Sequence, residues 1–345
     1  MDSPEALVWL SFGGPEKPAD VRPFLENVTR GRGVPPERLD EVEKHYQSFG
    51  GVSPINQLNR AAIAATTTEL RRQNLELPIY FGNRNWHPMI EDTLAQLAAD
   101  GVRRALVFAT SAYGGYSACR QYDEDIARAR AAVGPQAPDL LKLRQFFDHP
   151  LFVEAFADGV RAAGLPENYR LVFTAHSVPM SADAAAGPPS DGGHRYSRQV
   201  SEAARLVAAS VNVGEYDVVW QSRSGPPTIP WLEPDIVDHL ESLHAAGVRA
   251  VVVCPVGFVS DHLEVVWDLD TEAAQRASEL GMDFVRAATP NGDPRFAELV
   301  VELVREQLEG IAPRKLSDFP ADGCTVNGEP CAADCCVPMR RPARS

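Results

Sequence analysis

Short β-branched runs alternate with amphipathic stretches along most of the chain, and no other feature restricts the possible folds as strongly. Strands are expected over residues 6–12, 78–81, 105–110, 141–147, 170–175, 218–221 and 250–256. Helical spacing of apolar positions falls between them, over 36–48, 59–73, 90–99, 121–132, 150–163, 197–209, 233–246 and 268–280. Pro35 and Pro36 open one of these stretches and Gly247 follows another, as helix punctuation requires. Strands that alternate with helices must pair in parallel through helical crossovers, so an α/β fold is expected, its mostly parallel sheets flanked by helices. Ligands of such sheets sit beyond the carboxyl ends of the strands.

The alternation also looks doubled. Leu7-Val-Trp-Leu-Ser-Phe12-Gly-Gly-Pro15 is echoed by Leu171-Val-Phe-Thr-Ala-His176-Ser-Val-Pro179, each an apolar strand that ends in a ring, two slim residues and a proline. Gly101-Val-Arg-Arg-Ala and Gly247-Val-Arg-Ala-Val each open a further buried strand, at an offset of 146 residues against 164 for the first pair. A loose duplication would place Phe12 and His176 at equivalent strand ends of two halves, able to face each other across the cleft between them; two unrelated βα units could share the same pattern. A length of 345 residues suits two domains, and 44% apolar residues suffice for a core.

Charge and motifs exclude several functions. The net charge of −14 and the lack of a sizeable basic patch argue against nucleic acid. The longest apolar candidate, 250–259, is strand-sized and broken by Pro255 and Gly257, so no transmembrane segment is expected. The first residues are acidic rather than basic-then-apolar, which gives the expectation of a cytoplasmic protein. Neither a G-x-x-x-x-G-K-[ST] loop nor a G-x-G-x-x-G turn after a strand is present, so nucleotide chemistry lacks its phosphate cradle.

Chemistry is expected instead from Glu264, Asp268 and Glu272. Their spacing of four places three carboxylates in one row on a helix, with no Lys or Arg between them. A solvated acidic face would look the same, yet Val265, Val266 and Trp267 put apolar bulk beside the row. A row that lines a cleft needs cations or protons, and hard oxygen ligands can pass a divalent cation along. His176 ends an apolar strand at the carboxyl edge of a sheet; with Glu264 it supplies an imidazole and a carboxylate that can accept protons and hold a transition metal. The tail from 315 to 345 crowds four thiols, Cys324, Cys331, Cys335 and Cys336, into thirteen residues, enough for a [2Fe–2S] cluster or a tetrahedral Zn2+.

Taken in order, Ser11-Phe-Gly-Gly-Pro15, His45-Tyr46, Gly50-Gly-Val-Ser-Pro-Ile-Asn56, Asn83-Arg-Asn-Trp-His-Pro88, Phe173-Thr-Ala-His176-Ser-Val-Pro179, Trp220-Gln-Ser-Arg-Ser-Gly-Pro-Pro227, Trp231-Leu-Glu-Pro-Asp235 and Cys254-Pro-Val-Gly-Phe-Val-Ser-Asp-His-Leu-Glu264 resemble the ferrochelatases. The likeness is greatest to the actinobacterial coproporphyrin ferrochelatases, and it runs to about Arg314.

The resemblance implies ATP-independent insertion of Fe2+ into a porphyrin, between two Rossmann-like halves, expected at 1–148 and 149–292, with a helix over 293–314 that returns to the first half and the Cys-rich tail beyond. It implies that His176 is the metal-side base and ligand, Glu264 its partner in proton handling, and Asp268 and Glu272 the carboxylates of the iron path. Phe12 stands where many relatives have Tyr, so it can stack on the macrocycle but offers no phenolate to the product iron. Arg30, Arg32, His45, Tyr46, Ser53 and Tyr122 match or neighbour propionate-contacting positions, with Thr29 where some relatives have Arg.

Without an apolar lip or spanning tail, coproporphyrin III is the expected substrate, protoporphyrin IX the alternative, and neighbouring haem-pathway enzymes are expected as transient contacts. A haem or iron carrier would use the same cleft without turnover, and an iron–sulfur redox or sensor protein would make the tail the functional centre. Relatives hold a [2Fe–2S] cluster with three tail thiols and one from the body, between the T-A-H-S motif and Tyr196; here 180–195 has no Cys. The four tail thiols are therefore the expected ligands, with Cys119 or Cys254 as substitutes and Zn2+ or no metal as the alternative contents.

Overall fold

A computed structural model describes residues 3–31, 34–164, 168–225 and 228–337 of the chain. Arg32, one of the expected porphyrin contacts, lies outside the described residues.

The strands are β1 (Ala6–Ser11), β2 (Ile79–Asn83), β3 (Arg104–Ala109), β4 (Asp139–Lys142), β5 (Arg170–His176), β6 (Tyr216–Gln221), β7 (Ala250–Cys254), β8 (Asp283–Arg286) and β9 (Thr325–Val326). One sheet has the order β2-β1-β3-β4-β9, parallel except for β9, and the other is parallel with the order β6-β5-β7-β8. The central strands are continuous apolar runs because both faces are covered: every residue of β1 and of β7 is buried. The helices are α1 (Val21–Val28), α2 (Pro36–Ser48), α3 (Ile55–Arg72), α4 (Ile90–Ala99), α5 (Gln121–Val133), α6 (Pro150–Arg161), α7 (Met180–Ala184), α8 (Arg195–Ser210), α9 (Ile236–Ala245), α10 (Leu263–Val265), α11 (Ala274–Glu279) and α12 (Pro294–Glu309), with a π-helix over Val266–Ala273.

Both sheets repeat one topology, in which the first strand sits second and the third lies on its far side. The starts of β1 and β5 are 164 residues apart and those of β3 and β7 are 146, the two offsets visible in the sequence. Phe12 thus follows the carboxyl end of β1 at the position that His176 holds at the end of β5.

Local chemistry explains the element boundaries. Proline stands at the first helical position of α2, α6 and α12, and the Asp235 and Asp293 carboxylates accept the backbone N–H groups of Val237 and Arg295 at 2.9 and 2.8 Å. The strand expected over 141–147 stops at Lys142. Beyond it Gln145 N turns to Asp322 O at 2.9 Å, and Arg144 makes a two-pronged pair with Glu306 of α12 at 2.7 and 2.8 Å, so tail and helix claim the groups that a strand would pair. α12 packs on α3 and α6 and buries Phe296, Leu299, Val300, Leu303 and Val304. Tyr113 Oη donates to Val256 O at 2.6 Å and ties one half to the other. The paired helices α1 and α2 form a lip with a core of its own, Val21, Phe24, Leu25 and Leu39, with Tyr46 and Trp86 packed against it. Among the described residues no helix is long and apolar enough to cross a membrane.

Candidate functional site

His176 is the last residue of β5, in register with Gln221 at the end of β6. Its backbone carbonyl accepts the Tyr196 hydroxyl at 2.8 Å, and its ring Nδ1 lies 2.5 Å from Ser177 O. A carbonyl can only accept, so Nδ1 carries a proton toward it, and Nε2 is the ring nitrogen on the Glu264 side. Nε2 is 3.7 Å from Glu264 Oε2. Both side chains open to solvent, at 35% and 41% exposure. An imidazole and a carboxylate therefore meet at the carboxyl edge of a parallel sheet, where such folds place ligands.

Glu264 belongs to the single turn α10, and the chain then widens into the π-helix, which carries Asp268 and Glu272. The row expected on an α-helix is thus carried mainly by a π-helix, a form frequent at functional sites. Glu264 and Asp268 are half-buried while Glu272 is exposed, so the row runs from the surface at Glu272 to the partly open Glu264 beside His176. Burial raises the pKa of Glu264. Asp268 is raised first by burial and next by Glu264, against the lowering effect of Ser222; solvent access through the opening moderates both shifts. Burial thus favours the protonated form of both carboxylates, and among the described residues neither this row with His176 nor any other group of three or more such side chains is arranged to hold a metal ion.

Three partners of this row had no role assigned from sequence. The Ser222 hydroxyl donates to Asp268 Oδ2, and Gln221 Nε2 donates to the same oxygen at 3.3 Å. Both lie in the Trp220-Gln-Ser-Arg motif, but nothing in their residue types signals a carboxylate partner. His262 receives the Val265 N–H at its Nδ1, 3.4 Å away, as the cap of α10. Desolvation, with the His176 ring second, pushes its pKa down to about 3, so it stays neutral.

The lip approaches the row from the first half. Tyr46 is half-buried and packs on Phe24 with ring centroids 6.0 Å apart; burial raises its hydroxyl pKa, and the charges of Glu264 and Asp268 raise it further. His45 stacks face to face on Trp267 of the π-helix, centroids 3.9 Å apart and planes 8° from parallel, and Phe49 meets the same indole edge-on at 6.0 Å. Trp267 is a second group that sequence reasoning passed over, as apolar bulk beside the carboxylates.

The other expected porphyrin contacts are more dispersed. Phe12 is 37% exposed, edge-on to Phe24 at 6.3 Å, with the Arg84 guanidinium 5.9 Å from its ring. Arg30 is exposed on the lip. Ser53 is buried, its N–H bonded to Pro15 O at 2.8 Å; a Cβ at Gly14 would lie 2.7 Å from Ser53 Cβ, which is why a glycine stands there. Tyr122 is packed in the core beneath the Arg84 guanidinium, 4.5 Å from its ring, so it does not present an open hydroxyl face. Arg84 is itself paired with the buried Asp125.

The tail thiols converge only in part. Cys331 Sγ and Cys336 Sγ lie 3.1 and 3.6 Å from Cys335 Sγ, and Cys336 Sγ accepts the Gly187 N–H at 3.2 Å. Cys324 is apart from them, 3.8 Å from Gln307 Nε2. Cys119 is buried against Lys142 Nζ at 3.2 Å, and Cys254 is buried in β7. Among the described residues no three or more His, Cys, Asp or Glu side chains are arranged to hold a metal ion. As arranged, the four tail thiols therefore do not fit a four-thiolate [2Fe–2S] cluster or a tetrahedral Zn2+, which need four convergent donors.

The family model described as Ferrochelatase matches residues 4–308. A coproporphyrin III ferrochelatase of Nocardia farcinica is 68% identical over 345 residues, covering 98% of each chain. One of Mycolicibacterium smegmatis is 61% identical over 340 residues, covering 96% of this chain and 98% of its own. Among solved structures, SirB from Bacillus subtilis with Fe3+ superposes with a TM-score of 0.57 at 14% identity, over 91% of this chain and 100% of that one, a likeness of fold.

Proposed function

The chain belongs to the ferrochelatase family, and from that premise we propose that it inserts Fe2+ into coproporphyrin III to give iron coproporphyrin in haem biosynthesis. The observation that carries this reading is His176 Nε2 lying 3.7 Å from Glu264 Oε2, at one end of a carboxylate row that continues through Asp268 to the exposed Glu272. The substrate is supported by the names and near full-length match of the Nocardia and Mycolicibacterium relatives.

Insertion exchanges one Fe2+ for the two protons on the pyrrole nitrogens. The chain must strip water from the ion, deliver it to one face of the ring and remove both protons. Glu272, Asp268 and Glu264 offer successive hard oxygen donors for the ion. His176 Nε2 accepts a proton, its ring fixed by the Nδ1–H bond to Ser177 O, and Glu264 takes up or relays the second. No nucleotide is needed, because the ring nitrogens bind the metal far more tightly than water does. Phe12 supplies an apolar face for the macrocycle, and Arg30, His45 and Tyr46 stand on the lip side on which its carboxylates would be met, whereas the buried Ser53 acts behind them on the Pro15 turn. The division of the chain after residue 148 into two halves, a helix and a tail belongs to this reading, as do a cytoplasmic setting and passing contacts with the enzymes before and after it. No step is routed through the tail thiols.

The test is anaerobic mixing of the protein with excess Fe2+ and either porphyrin, read from the visible bands. Many turnovers with coproporphyrin III and slower ones with protoporphyrin IX are expected. Stoichiometric capture without turnover would mean a carrier, and a preference for protoporphyrin IX would overturn the substrate.

A further inference from the structure

Ser222 follows the last residue of β6, and its backbone is left-handed, with φ 62°. Glycine adopts that conformation freely, whereas a side chain on the same backbone costs energy. A serine held there must return something through its hydroxyl, and the hydroxyl donates to Asp268 Oδ2. Gln221, 1% exposed, donates to the same oxygen from the adjacent position. The turn is anchored to the base as well: Ser177 N donates to Gln221 O at 2.8 Å, and Gln221 is in register with His176. One side of this junction therefore carries the imidazole and the other grips the middle carboxylate of the row.

We propose that Ser222 is a positioning residue for metal delivery: its hydroxyl, aimed by the left-handed backbone, holds the Asp268 carboxylate in one orientation within the acidic row. The proposal rests on the reading that Glu272, Asp268 and Glu264 form the iron path. A carboxylate gripped through one oxygen keeps the other for an incoming divalent ion and cannot fold back on its own helix. The Ser222 hydroxyl is bonded to Asp268 and not to His176 or Glu264, so its effect is expected on the iron step first.

The test compares Ser222→Gly, which relaxes the backbone and removes the hydroxyl, with Ser222→Ala, which removes the hydroxyl and keeps the strain. Asp268→Asn is the control, and binding of Co2+ alone to each protein is followed by calorimetry. Both Ser222 variants should raise KM for Fe2+ by about tenfold, the scale of one hydrogen bond to a charged group. They should weaken Co2+ binding in step, with kcat and the porphyrin KM unchanged within about twofold and no loss of thermal stability in Ser222→Gly. An unchanged iron KM in both Ser222 variants, with a raised one in Asp268→Asn, would overturn the role of Ser222 and leave the acidic row standing. Equal losses in kcat and both KM values would mean a structural role and would also overturn it. An unchanged iron KM and Co2+ affinity in Asp268→Asn would remove the iron-path reading itself.

Discussion

At the scale of single residues the site depends on which atoms hold protons. The 2.5 Å contact from His176 Nδ1 to Ser177 O places a proton on Nδ1 and leaves Nε2 facing Glu264, 3.7 Å away. Glu264 is raised above its ordinary range by burial. A carboxyl whose folded pKa exceeds its unfolded value stabilises the fold below the unfolded pKa and loses that contribution as pH rises through the folded one. Glu264→Gln, neutral at every pH, should therefore melt about 1–2 °C above the wild type at pH 8, with the gap closing toward pH 5. The small size reflects the 41% exposure of the side chain. A gap that widened on acidification would show that Glu264 is held ionised instead. The carboxylates of the row and the strand-end position of His176 were legible as residue types and spacings, and the nearness of His176 to Glu264 is what the structure adds. The grip of Ser222 was not, because a positive φ leaves no mark on a serine codon position, and the burial of Tyr122 depends on Arg84, far away in sequence.

At the scale of elements the lip is the part that can yield. Its own core is small, and it reaches the second half through the His45–Trp267 stack, worth about 1 kcal/mol. By contrast, α12 alone buries several apolar side chains at about 2 kcal/mol each. Local opening should start at the lip. Trp267→Ala is expected to speed proteolysis within 29–52 severalfold in the porphyrin-free protein while the global melting temperature falls by no more than a degree or two. Unchanged cleavage would place the hold on the lip elsewhere. Strands with fully buried runs, such as β1, β5 and β7, were legible within a residue or two. The four-residue β8 at a sheet edge and the two-residue β9 were missed, since neither has room for a period to show. The π-helix was read as an ordinary helix because the carboxylate spacing of four suits either geometry.

Across the whole molecule, two sheets of one topology meet through Tyr113 and the shared core, and the tail straps them by pairing β9 to β4 and seating Cys336 on Gly187. The tail's metal content was the least legible feature, because Cys spacing does not reveal that Cys324 turns toward Gln307 while the other three thiols converge. Thiol labelling of the freshly purified protein follows from this arrangement. Cys324 and Cys331 are exposed and should react first, with Cys119, Cys254, Cys335 and Cys336 slow. Protection of Cys331 together with visible absorption bands would show that the tail rearranges around a metal.

The central claim is that the imidazole at the end of β5 takes one proton from the macrocycle, with Glu264 taking up or relaying the second, while a carboxylate row feeds it iron. Initial rates of anaerobic Fe2+ insertion into coproporphyrin III by the wild type and by His176→Ala test it most directly. The account predicts a rate at least about a hundredfold lower in the variant, as befits loss of a general base, with porphyrin affinity preserved. A His176→Ala protein that inserts iron within twofold of the wild-type rate would contradict it.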